Sequence, residues 1–278
     1  GPRGGSLAAA WSGLPVRLTL QLFSALEKPG SQRLVARPEL DEERRGLFAG
    51  ASWGRPFEGG RVAAELGGGW TRVESIEAGE TFSRTLASGR VLGQWRRTRG
   101  RSGVAVSAEV EGSLGNTAGG FWRQFSAQGR LTGITSVASL SLSARYGDTG
   151  GAPTPFDLFR IGGAESAIQP PGLDRNRIAS PALPAALQLG RRVETYRADL
   201  GLAAIPLLLY AESLRAWTPG APRPDDARVG GAELRLERLL PEELRPEHFS
   251  FYVGVARIRS EQPRVSSTQG YGGLIYRP

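Results

Sequence analysis

The chain has 278 residues, with no cysteine, no methionine, one histidine (His248) and one lysine (Lys28). Without cysteine there are no disulfides and no thiolate metal sites, which suits an envelope compartment. One histidine cannot build a zinc-spaced cluster. No stretch approaches the ~20 apolar residues of a spanning helix; the longest oily run, Gly201–Ala211, is interrupted by Pro206. A chain without an initiator methionine is expected to be the C-terminal part of a longer one, and a targeting segment would not be visible in it. Basic residues exceed acidic ones by 35 to 27, for a formal charge of +8, and all but Lys28 are arginine. They are scattered through the chain at Arg17, Arg61, Arg130, Arg145 and Arg235. A nucleic-acid binder concentrates such charge in runs or on one face, so no nucleic-acid partner is expected. Arg96, Arg97, Arg99 and Arg101 form the densest group, read first as a solvated strand end and second as a patch for anionic lipid headgroups or nucleic acid.

What the chain has in quantity is alternation. Val16–Leu22 reads Val-Arg-Leu-Thr-Leu-Gln-Leu, and the two-residue beat returns at 104–110, 138–146 and 232–236. A period of two puts successive side chains on opposite faces of a strand. Each segment therefore has an oily face and a wet, often charged one. Leu18, Leu20, Leu140, Leu142, Leu234 and Leu236 belong to the oily set.

Turn signals cut the chain into about twelve strands (10–16), each of about ten residues, the length that spans an outer membrane when tilted. Glu58-Gly59-Gly60 marks a tight hairpin between a strand ending at Trp53 and one ending at Trp70. A long irregular connection is expected over Gly147–Gly190. The strand near Val16–Leu22 is expected to pair with the last, near Gln269–Tyr276, since an open edge in lipid leaves backbone groups unsatisfied. Trp53, Trp70, Trp95, Phe121, Trp122, Tyr146, Trp217, Tyr271 and Tyr276 collect near strand ends, as an interfacial girdle would. Charged residues in mid-strand suit a wet barrel interior. The reading is all-β: a transmembrane antiparallel up-and-down β-barrel, residues 1–278 forming one domain in the outer membrane of a Gram-negative-type bacterium. A soluble sandwich or lipocalin-like binding module remains the alternative, with its oily face turned inward.

Phe156-Asp157-Leu158-Phe159-Arg160-Ile161-Gly162-Gly163 precedes the long connection, and Glu194 and Arg197 follow on the returning strand. With Leu207-Leu208-Leu209-Tyr210-Ala211-Glu212, this order resembles the surface-antigen barrels, the bacterial outer-membrane assembly and translocation proteins. The resemblance implies a connection that folds back into the lumen. The chain departs from that family in its shorter strand count, and at Ser166-Ala167-Ile168-Gln169-Pro170-Pro171, where an Arg-Gly-aromatic tip belongs.

The candidate site is accordingly a lumen and its plug. Asp174, Arg175 and Arg177 of the long connection are expected to meet Glu109, Glu194, Arg197, Glu233, Arg235 and Glu237 on strands, the alternative being a mobile external loop. Such a barrel would serve as a membrane anchor, a narrow channel or a translocation and assembly barrel. Its partners would be outer-membrane lipid, lipopolysaccharide and envelope proteins, with no cofactor. The enzyme alternative is a barrel hydrolase using Ser250 and His248, which share a parity and could pair as nucleophile and base. Gly67-Gly68-Gly69 lacks the Lys-Ser/Thr pair of a phosphate cradle. It reads instead as a point of curvature or a bulge.

Overall fold

The computed structural model describes residues 3–11, 16–27, 42–75, 79–117, 119–154, 157–162, 177–178, 180, 183, 186–202, 205–222, 225–235, 249–261 and 264–276. Its strands are β1 (Arg3–Trp11), β2 (Arg17–Glu27), β3 (Glu42–Phe57), β4 (Gly60–Ser75), β5 (Thr81–Arg99), β6 (Ser102–Thr117), β7 (Gly120–Ile134) and β8 (Ala138–Gly151). Three short strands follow: β9 (Phe159–Gly162), β10 (Arg177–Ile178) and β11 (Ala186–Gly190). Then come β12 (Arg192–Leu202), β13 (Leu207–Trp217), β14 (Ala227–Arg235), β15 (Phe249–Glu261) and β16 (Arg264–Tyr276).

Thirteen strands form one antiparallel meander, β1 to β8 and then β12 to β16, each paired with its neighbours along the chain. The remaining three, in the order β10-β9-β11, make a small second sheet. The alternation that marks the sequence becomes a difference between faces. On β8, Leu140 is 50% exposed and Leu142 49%, while Ser141 between them is 5% exposed and shares a hydrogen bond with Thr132. Leu18, Leu20 and Leu22 on β2 lie on the same outward face. Leu236 lies outside the described residues.

Four expectations change. The strands from β3 to β8 run 14 to 19 residues, well beyond ten. Backbone pairing continues past the apolar band into polar ends, where the hydropathy beat no longer marks it. The strand at Val16–Leu22 is not an edge, because β2 pairs with β1 on one side and β3 on the other. The edges are β1 and β16, and no pairing between them occurs among the described residues. The stretch Gly147–Gly190 is not wholly irregular, since β8 continues to Gly151 and three strands lie within the connection. Finally, Gly67–Gly69 makes no bulge, because the β3–β4 register runs unbroken through it.

Successive antiparallel strands sort the connections to two ends. The turns at 58–59 and 100–101, tight because Gly59 and Gly100 adopt the left-handed backbone open to glycine, lie at one end, which also holds the connection 236–248. The connections 28–41, 152–191 and 218–226 leave from the other, the loop end.

Candidate functional site

The inward face carries a chain of ion pairs across successive strands. Arg90 of β5 forms an ion pair with Glu109 of β6, its Nε 2.6 Å from Oε1, and reaches Glu65 of β4 at 3.4 Å. Gln128 of β7 donates to the other oxygen of Glu109 at 2.8 Å. On the next strands Arg130 lies 3.5 Å from Asp199, and Arg197 donates to Asp199 at 2.7 Å and to Glu212 of β13. Glu233 and Arg235 pair with each other on β14 at 2.6 Å. Each of these charges faces a partner of opposite sign. Among the described residues, no group of His, Cys, Asp or Glu is arranged to hold a metal ion.

The same inner face carries rings set against glycines. Phe23 stands directly across from Gly46, Phe48 from Gly69, Trp122 from Gly115 and Tyr210 from Gly231. Tyr252 and Tyr271 face Gly273 and Gly254 in the same way. At each glycine an added Cβ would run into the ring opposite, so the missing side chain is the seat of the aromatic one. Laying an aromatic ring over a strand glycine shields backbone that glycine alone would leave bare. Phe23, Phe48, Leu86 and Trp122 cluster together, while Tyr271 meets Tyr210 in a T-shaped contact and Tyr252 at a tilt, with Arg197 over the Tyr210 ring at 4.8 Å. Trp122 and Tyr271 therefore do not belong to an interfacial girdle: both point inward.

The described parts of the long connection pack onto this inner face. Phe159, Ile161 and Leu183 are fully buried in one cluster with Val193, Leu214, Val229 and Ile258. Phe159 occupies the space beside Gly147, which would clash with any side chain there. Asp157 receives Arg84 at 2.7 Å in a fully buried pair, and Ser180 donates to Glu212 at 2.8 Å. Gln188 of β11 accepts the Ala216 amide at 2.9 Å and donates to the Asp225 carbonyl.

Of the residues singled out in the sequence, Glu109, Arg197, Glu233 and Arg235 share this inner face. Glu194 does not. It has the parity of Arg192 and Tyr196, opposite to Arg197, and bonds Arg215 on the outer face at 2.8 Å. Asp174, Arg175 and Glu237 lie outside the described residues, as does His248, and Arg177 is described only by its backbone in β10. Ser250 lies in β15 with its backbone opposite Ile275. The candidate site read from the sequence did not include Arg90, Asp199 or Glu212. It also missed the inward rings, for which the signal was an aromatic residue on one strand and a glycine on the next.

The outer face is apolar and bordered by rings. Trp53, Phe57 and Trp95 lie toward the tight turns, and Trp70, Phe121 and Tyr146 toward the loop end, all exposed. On β3 the outward face runs from Trp53 to Arg45. That is eight residues at about 3.4 Å each, which a tilt of ~40° shortens to roughly 20 Å, near the apolar height of an outer-membrane barrel. Comparison with solved structures gives BamA from Haemophilus ducreyi lacking POTRA domains 1–3, at TM-score 0.63 and 13% identity, over 99% of this chain and 62% of that one. The fold is that of an outer-membrane β-barrel. It is the surface-antigen type of barrel that the chain resembles. CdiB from Acinetobacter baumannii and the copper transporter OprC match at TM-scores of 0.44 and 0.39, each at 13% identity, over 99% and 98% of this chain and 57% and 51% of theirs. The chain thus spans less than two thirds of these proteins. No family model matches it, and no curated protein does.

Proposed function

We propose that the chain is a plugged barrel of the outer membrane of a Gram-negative-type bacterium, serving assembly or translocation in the envelope instead of open diffusion. The observation that carries this reading is the packing of Asp157–Gly162, Ser180, Leu183 and β11 against the inner face. An open pore would leave that face to water. Here a buried Arg84–Asp157 pair and an apolar cluster hold the described parts of the connection against the inner face. The surface-antigen resemblance supports the same role, because in those barrels the connection after such a glycine pair returns to the lumen. Tight turns lie on the periplasmic side of such barrels and longer connections outside, so the loop end is read as external. Envelope proteins are the partners this role implies.

The test is conductance. The full chain, refolded into planar bilayers, should insert and show only small, infrequent currents. Deleting residues 164–187 should raise single-channel conductance several-fold while the heat-modifiable gel shift persists. Equal conductance in both proteins would place the connection outside the lumen and remove the basis for a plugged barrel.

A further inference from the structure

The outward face mixes Leu, Val and aromatic residues with Ala and Gly, and one run of small residues there borders a basic cluster. Across β12, β13 and β14, Ala198 pairs with Ala211 and Ala211 with Gly230, a row of small residues in register. Leu142 continues the row on β8, and Gly129, Ala144 and Tyr196 form the next row toward the loop end. Together these residues line an outward groove of about 870 Å³. That is the size of a site for a sizeable small molecule. In a face directed at acyl chains, it is a recess of apolar floor.

One end of the groove is strongly basic. Arg257 pairs with Gly230 at the end of the small row, and Arg228 and Arg259 stand directly opposite each other in the next. Like charges directly across two strands are destabilising. Several other outward arginines of this end are paired with acids: Arg45 with Glu43, Arg192 with Asp148 at 2.7 Å, and Arg215 with Glu194 and with Asp226 at 3.0 Å. Among the described residues, no acidic side chain pairs with Arg228, Arg257 or Arg259, all of which are exposed. Ser213, Ser266 and Thr268, their cross-strand neighbours, add hydroxyls to the same spot. Arg228 begins β14 and Arg259 nears the end of β15, so the cluster sits at the loop end, at headgroup depth.

We propose that this groove binds a phosphorylated, acylated glycolipid of the outer leaflet, of the lipid A class. Its phosphate lies between Arg228 and Arg259, and an acyl chain lies along the row Ala198-Ala211-Gly230. Guanidinium forks match a phosphate in bidentate geometry, and the anion relieves the repulsion that the bare pair suffers. The site rests on the outer-membrane reading above, with the loop end external.

The test uses the full chain refolded into phosphatidylethanolamine vesicles doped with lipid A, then extracted into mild detergent, with retained lipid measured by mass spectrometry. Wild-type protein should keep lipid A, and dephosphorylated lipid A should not be kept. The double variant R228Q/R259Q should lose about tenfold or more in retention, a change of about 1.4 kcal/mol in binding. A211F, which fills the groove and leaves every charge in place, should lose retention as well. R45Q, whose arginine is already paired to Glu43, should not. Each protein is also scored for its heat-modifiable gel shift. A chain that never inserts overturns the barrel reading itself. A chain that inserts and shifts normally, yet retains no lipid A or retains it equally in R228Q/R259Q, overturns the site alone. Equal retention of phosphatidylglycerol overturns the choice of an outer-leaflet glycolipid.

Discussion

Gly231 and Gly230 are neighbours on β14 with opposite fates. A Cβ on Gly231 would lie 2.8 Å from the Tyr210 hydroxyl, whereas one on Gly230 would meet nothing nearer than 4.0 Å. Gly231→Val is therefore expected to destabilise by ~1–3 kcal/mol, the usual cost of forcing bulk into a packed site. Gly230→Val should be close to neutral in stability. The temperature at which the folded gel form is lost measures both. Outside the lumen, Leu140→Arg is expected to cost ~2–4 kcal/mol in a bilayer. Gln128→Arg, which faces inward beside Glu109, should be tolerated. Arg197→Met should cost more than a surface pair would, near the lower end of ~3–5 kcal/mol, because Glu212 is left buried without a cation and Asp199 keeps only Arg130 at 3.5 Å. The faces themselves were legible from alternation, residue by residue. Which residues would fill the inner face was not: Trp122 and Tyr271 have the same hydropathy as a girdle residue, and only the glycine on the adjacent strand distinguishes them. Glu194 was misplaced because it lies three residues from Arg197, an odd step that strand geometry sends to the other side.

At the scale of elements, the sequence marks where a strand crosses the apolar layer and is silent about where it ends. β5 reads as Thr85–Trp95 from its pattern but extends from Thr81 to Arg99, because hydrogen bonds to β6 persist to the Arg99–Ser102 pair. The arginines at 96, 97 and 99 accordingly lie on a hairpin projecting beyond the Trp95 ring, where all are exposed. β1 escaped notice for a related reason: Arg3-Gly4-Gly5-Ser6 opens it without an apolar beat, although it pairs with β2 over its whole length. Leu7→Cys with Leu22→Cys should crosslink readily in folded protein, since the two face each other outward and the chain has no other thiol. Pairing Leu7→Cys with Leu20→Cys, two residues out of register, should crosslink far less. Equal yields would put the β1–β2 register in error.

For the molecule as a whole, an ion-paired inner face, a folded-in connection and a ring-bordered apolar exterior describe a protein turned inside out relative to a soluble barrel. That inversion is the central claim, and β8 tests it best. Its outward residues are Leu140, Leu142, Ala144 and Tyr146, its inward ones Ser141, Ser143 and Arg145. Single cysteines placed from Ala138 to Tyr146 and spin-labelled in bilayers report collisions with oxygen, which concentrates in lipid, and with a water-soluble nickel chelate. Oxygen accessibility is predicted to peak at every even position and fall at every odd one, in antiphase with any access of the chelate. A flat profile, or chelate access at 140, 142 and 144, would contradict a lipid-facing exterior and return the chain to the soluble all-β class.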